Sequence, residues 1–237
     1  MRRVLIGFLF LFQLALVSAQ EIKDANAKKR NVGNFHGIEV GTGIRLFLSN
    51  GATEEVVVSA DKTEFRDKII AEVENGILKL HYDTKLGSVN KKNETKNLRA
   101  YVSYKQLNKL IVSTGAVVEM KNVLSTPSLE LSATTGATFN GEISTTSLKI
   151  DQSTGSRVMI SGKADKLEAE GSTGSKLEGE ELKTMNCSVI VNTGARVTIT
   201  AEKELKVKAG TGGTVKYKGN ASVTEVKSNT GGTVSKI

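Results

Sequence analysis

Residues 127–158 read PSLELSATTGATFNGEISTTSLKIDQSTGSRV. The stretch holds one pattern twice. Apolar residues alternate through Leu129 and Leu131, Thr135-Gly136-Ala137 interrupts them, and Phe139 resumes. Leu148 and Ile150, Thr154-Gly155-Ser156 and Val158 then repeat the order. The same tripeptide, Thr-Gly-small, centres on Gly115, Gly136, Gly155, Gly174, Gly194, Gly212 and Gly231, at intervals of 21, 19, 19, 20, 18 and 19 residues. A fixed period over more than half the chain is an internal repeat, and it outranks local propensity in setting the fold.

The positions around each glycine define strands. Seven residues before it stand Leu129, Leu148, Leu167, Cys187, Leu205 and Thr224. Five before stand Leu131, Ile150, Ala169, Val189, Val207 and Val226. Three after stand Val118, Phe139, Val158, Leu177, Val197, Val215 and Val234. This period-two alternation marks strands with one face inward. Helical spacing does not fit, and Thr, Val and Gly are poor helix formers. A unit this short cannot bury its apolar face alone, whereas stacked units can. Successive coils then lie about 4.8 Å apart, and seven of them run roughly 30 Å. The expected fold is all-β, a parallel β-helix over 111–237 with one coil per repeat. An antiparallel array of hairpins is the alternative.

In this reading the glycines are structural turn residues. Glycine supplies a conformation that a Cβ resists, and the small neighbour lets coils stack. The threonine hydroxyls stack from coil to coil or bond the turn backbone. Loss of such a bond in Thr154→Ala is expected to cost on the order of 1 kcal/mol. A functional alternative is a hydroxyl row that organises water or ice, or binds glycans. An ice-binding face needs regular Thr-x-Thr rows, and here one Thr per turn recurs.

The first 19 residues resemble a secretory signal peptide. Arg2 and Arg3 precede an apolar run, and Val17-Ser18-Ala19 offers a cleavage site. An uncleaved anchor is the rival, but the run is short for a span of about 20 residues. Cleavage lowers the formal charge from +8 to +6 and leaves a soluble exported chain, periplasmic, surface-bound or secreted. Residues 20–30 read as a flexible polar linker. Residues 31–110 read as an irregular strand and hairpin part that caps the solenoid, with a hairpin at Asn75-Gly76 and a basic loop over 85–97. Residues 31–237 form one continuous domain. The short end after Val234 is expected to be covered by a neighbouring chain.

Cys187 is the single cysteine, so no intrachain disulfide forms. It occupies a leucine slot and reads as a buried hydrophobe. His36 and His81 are the only histidines and lie far apart. No metal cluster, cofactor motif or nucleophile arrangement stands out. Two outward rows carry chemistry. Asp151 and Glu170 take one position in successive coils, the spacing of paired carboxylates in a polysaccharide lyase or hydrolase. Repeats this short leave little room for cleft-forming loops, and the same stripe carries Lys208 and Lys227. Arg157, Lys176 and Arg196, two after each glycine, form a basic ladder suited to an acidic glycan, lipopolysaccharide or an envelope or host surface protein. Its bland counterpart is neutralisation by acids such as Glu178. Nucleic acid is not an expected partner for an exported chain without a recognition motif.

The stretches FHGIEVGTGIRLFLSNG at 35–51 and YVSYKQLNKLIVSTGA at 101–116, with the recurring STGA and STGS turns, resemble the putative auto-transporter adhesin, head GIN domain family of exported bacterial proteins. The resemblance covers roughly 32–237. It implies a right-handed β-helix and a noncatalytic role in surface adhesion, and it transfers no catalytic or binding residue. A polysaccharide-active enzyme remains the alternative.

Overall fold

In the computed structural model, which describes residues 24–84 and 94–237, every Thr-Gly pair of the repeat adopts one backbone shape. The threonines from Thr114 to Thr230 have φ between 45° and 53°, and the glycines that follow have φ between 69° and 77°. Two consecutive left-handed residues make a type I′ turn. Ala137 N–H closes one turn on the Thr134 carbonyl at 3.1 Å, and Ser156 N–H closes the next on Ser153 at 3.2 Å. The turns also pair with one another. Gly136 N–H donates to the Thr154 carbonyl, and Gly155 N–H to Thr173, each at 2.9 Å. A Cβ built on Gly155 would meet no heavy atom within 4 Å. Conformation, not space, therefore demands glycine there.

The threonine before it is the surprise. A β-branched residue with positive φ is strained. The Thr154 side chain is exposed, and its hydroxyl reaches the Ser153 hydroxyl at 3.4 Å rather than the turn backbone. The expected cost of Thr154→Ala therefore disappears. Thr154→Asn should gain about 1 kcal/mol in urea unfolding, because Asn tolerates the left-handed region. A loss of that size would return the hydroxyl to a structural role.

The strands follow the chain as β1 (Lys28–Arg30), β2 (Gly37–Val40), β3 (Arg45–Asn50), β4 (Glu55–Ser59), β5 (Ile69–Glu74), β6 (Ile77–Tyr82), β7 (Arg99–Tyr104), β8 (Lys109–Val112) and β9 (Val117–Met120). Longer strands come next: β10 (Leu124–Ala133), β11 (Thr138–Gln152), β12 (Arg157–Gly171), β13 (Lys176–Val191) and β14 (Arg196–Ala209). The last are β15 (Thr214–Lys218), β16 (Ser222–Ser228) and β17 (Thr233–Lys236). One short helix, α1 (Thr63–Arg66), buries Phe65. Among the described residues no helix is long and apolar enough to cross a membrane.

From β8 onward all pairing is parallel and follows the repeat. Leu129, Leu148, Leu167, Cys187 and Leu205 lie in register, as do Val118, Phe139, Val158, Leu177, Val197, Val215 and Val234. All but Val234 are buried, so the repeat makes one continuous core. Thr224 leaves its row: Val223 sits opposite Leu205, and a register shift follows. A second corner lies halfway round each coil. Phe139, Ile143 and Thr145 of β11 face inward, then the pattern slips one residue to Leu148, Ile150 and Gln152. Thr145 Oγ1 donates to the Ser147 carbonyl at 3.1 Å across that corner, and Thr126 to Ser128 at 3.2 Å one coil earlier.

The first part is more regular than its sequence suggests. Thr42 and Gly43 form the same turn, with φ of 53° and 70°, and Gly43 N–H donates to the Thr114 carbonyl at 3.0 Å. β2 and β3 are thus a coil stacked on β8 and β9. β6 and β7 form another coil on their outer side. Chain order and stacking order differ here, because residues 51–76 carry the chain back to the end of the stack. That end closes with antiparallel strands: β4 on β7, β1 on β4, and β5 on β6 through the Asn75-Gly76 turn.

The segment 20–30, read as a flexible linker, is tied down where it is described. Lys28–Arg30 pairs with Val56–Val58. The Asp24 carboxylate accepts from Ser59 Oγ at 2.6 Å and ion-pairs with Arg99 at 3.0 Å. The strand supplies backbone pairing to an edge rather than apolar side chains to the core, so no hydrophobic alternation marks it. The predicted signal peptide and residues 85–93 of the basic loop lie outside the described residues.

Candidate functional site

The parallel register carries outward side chains into rows as strictly as inward ones. Arg157 of β12 pairs with Lys176 of β13, and Lys176 with Arg196 of β14. The three cations therefore stand in line on one outward face, about 4.8 Å apart at the backbone. Arg157 and Arg196 are exposed. Glu178 ion-pairs with Lys176, while Arg157 and Arg196 make no ion pair among the described residues. Neutralisation by Glu178 thus reaches the middle of the row and not its ends. Thr138 and Thr214 continue the row on either side.

A second outward row arranges its stacked charges differently. Lys109, Glu130, Lys149 and Glu168 lie in register and alternate in sign. After Ser188 the row resumes as Lys206 and Glu225. Opposite charges facing each other across strands stabilise a sheet, and like charges do the reverse. The alternating row obeys this rule, and the Arg157–Lys176–Arg196 row breaks it.

Asp151 and Glu170 are also brought together, as register partners in β11 and β12. They border a shallow groove of about 250 Å³ beside the turns, with Ser153, Ser172 and Asn192. Asp151 is held by Lys149 at 3.3 Å. The row continues through Ile190 to Lys208 and Lys227. Among the described residues no three His, Cys, Asp or Glu side chains group to hold a metal ion. His36 bonds Asn108 through Nδ1 at 3.1 Å, and His81 lies opposite Ile70 in the β5–β6 hairpin.

Cys187 is 4% exposed and sits between Leu167 and Leu205. Burial pushes its thiol up to about 11, against a smaller opposing effect of the Thr184 hydroxyl. A thiolate is the reactive form. Labelling of the native protein by a thiol reagent should therefore proceed no faster than unfolding exposes the residue. Fast labelling at neutral pH would contradict this placement.

A sequence model described as "Putative auto-transporter adhesin, head GIN domain" matches residues 34–221. The chain belongs to this head GIN domain family. Solved structures share its fold. A "putative adhesin" from Bacteroides fragilis NCTC 9343 is 17% identical, covering 89% of this chain and 96% of that one, with a TM-score of 0.78. A "putative adhesin" from Parabacteroides merdae ATCC 43184 is 13% identical over 91% and 97%, with a TM-score of 0.67. A "putative lipid binding protein" from Parabacteroides distasonis ATCC 8503 is 12% identical over 90% and 97%, with a TM-score of 0.62. At such identities the likeness shows the fold alone. No curated protein matches the chain. The head GIN domain match begins near Phe35 and ends at 221, so it includes the basic row and stops before β16.

Proposed function

We propose that this head GIN domain is a noncatalytic exported module that attaches to an acidic polymer at the cell envelope or a host surface. The Arg157–Lys176–Arg196 row is its contact. The carrying observation is the contrast between two rows of one stack. One alternates in sign, and the other sets three cations in line with both ends unpaired. A row that works against the sheet is explained when a ligand supplies the missing anions. Its regular spacing suits a chain of repeated anionic groups, such as a uronic or sulfated glycan. The family's adhesin description and the signal-like first 19 residues support export.

A polysaccharide-active enzyme using Asp151 and Glu170 is the second reading. It is favoured by their register and weakened by the Lys149 ion pair and the shallow groove. A glycan array, run beside degradation assays on acidic polysaccharides, separates the two. Binding to acidic glycans should weaken as salt rises. It should fall at least about tenfold when Arg157, Lys176 and Arg196 are all replaced by Ala. Binding indifferent to that replacement removes the row from the site, and turnover of any polysaccharide removes the noncatalytic reading.

A further inference from the structure

The two ends of the stack are built differently. One is closed by β1, β4 and β5. At the other, β16 is in register with β14 and β17 with β15, and no strand among the described residues lies beyond them. The side chains of this last coil are uncovered. Val223 is 40% exposed, Val226 50% and Ile237 52%, whereas Leu205 and Val207, the partners of the two valines in the preceding coil, are at 0%. An edge strand with uncovered valines and free backbone groups is a template for pairing.

The edge has a defined polarity. Asn229 N–H donates to the Ala209 carbonyl at 3.0 Å. Backbone groups alternate sides along a strand, so Lys227 and Glu225 point theirs at β14, and Val226 and Ser228 point theirs away.

We propose that two copies of the chain join end to end through this coil, with β16 of one running antiparallel to β16 of the other about a two-fold axis at Val226. Three features fit that register at once. Val226 stands opposite Val226 of the second copy, and the two exchange both backbone hydrogen bonds. The inward faces remain inward, so the two apolar cores merge. On the outer face, Glu225 and Lys227 already ion-pair within each strand at 2.7 Å, and the reversed strand brings Glu225 of each copy beside Lys227 of the other as well, once on each side of the axis. The strand SVTEVKS is thus charge-complementary to itself when reversed. An isologous contact of this kind closes on itself and stops at a dimer.

Sedimentation velocity of the full mature chain over a range of concentrations tests the pairing. The wild type should sediment as a dimer. Lys227→Glu sets acid against acid on both sides of the axis; within the coil it loses the Glu225 ion pair but gives its β14 neighbour Lys208 an opposite charge, so one charge partner replaces another. It should weaken dimerisation at least about tenfold. The double exchange Glu225→Lys with Lys227→Glu should restore the dimer. Val226→Cys provides a measurement independent of charge. Residues in a hydrogen-bonded antiparallel pair have Cα atoms about 5.5 Å apart, within disulfide reach. Mild oxidation should link two copies through position 226 and leave Cys187 free. A monomer at every concentration, a dimer indifferent to Lys227→Glu, a double exchange that stays monomeric, or no cross-link at position 226 would each overturn the proposal. None of these readouts depends on a glycan, so failure here leaves the ligand reading standing.

Discussion

Gly162→Ala should lose at least about 3 kcal/mol of unfolding free energy in urea, one of the largest effects of a single methyl in this chain. Gly162 has φ of 103°, where side chains are strained. A Cβ there would also lie 2.0 Å from the Ile143 carbonyl oxygen and 3.0 Å from its carbon. These are backbone atoms of β11, held in the parallel ladder with β12, and they cannot rotate aside. The register of β12 on β13 shifts between Met159 and Gly162, so the residue sits where the coil bends. Gly155→Ala is the control. Its φ of 69° is also positive, but it lies in the left-handed region that a side chain enters at modest cost, and the space around it is open. That substitution should cost about 1 kcal/mol. Equal losses at the two positions would show that conformation alone, without the clash, accounts for Gly162.

Phe139→Ala should lose about 3–5 kcal/mol by the same measurement. Phe139 is at 0% exposure and is the largest side chain in a row otherwise made of Val and Leu. The stack makes room for it at Gly141, two residues along the same inward face. A Cβ on Gly141 would lie 3.1 Å from the Phe139 ring and 2.3 Å from Met120 Cγ. Met120 and the edge of the ring thus share the space of a missing side chain, and removal of the ring opens a cavity that Val118 and Val158 cannot collapse to fill. Phe139→Leu, which matches its neighbours, should cost about half as much. A loss under about 1 kcal/mol for Phe139→Ala would mean that the coils slide to close the gap and that the core is not fixed by its register.

How legible was this in the sequence? The inward rows were, because each sits at a constant offset from a glycine and parallel stacking converts offset into neighbourhood. The same rule aligned Arg157, Lys176 and Arg196. The alternating row from Lys109 to Glu168 was available by that rule too, and it carries half the functional contrast. The left-handed threonines were hidden because propensity assigns β-branched residues to extended backbone. The corner at Thr145 was hidden because it consists of a one-residue slip inside an otherwise regular alternation. Gly162 and Gly219 did leave a signal. Each stands seven residues after a turn glycine, and each has positive φ, at 103° and 94°. The stacking of β6 and β7 outside β2 and β3 could not be read, because no Thr-Gly pair stands in the sequence between β6 and β7 and no motif marks the equivalence.

Both the basic row and the free edge at β16 exist only if each Thr-Gly turn marks one coil of a parallel stack. Distances between spin labels on the exposed turn threonines test this directly, in a variant with Cys187 replaced by Ser. Thr114 and Thr193 are separated by four coils, and Thr114 and Thr230 by six. At the spacing of parallel strands the label pairs should lie about 19 Å and about 29 Å apart, rising in proportion to the number of turns between them. Distances that fail to grow with turn number, as in an antiparallel sandwich with scattered turns, would contradict the stack and every row built on it.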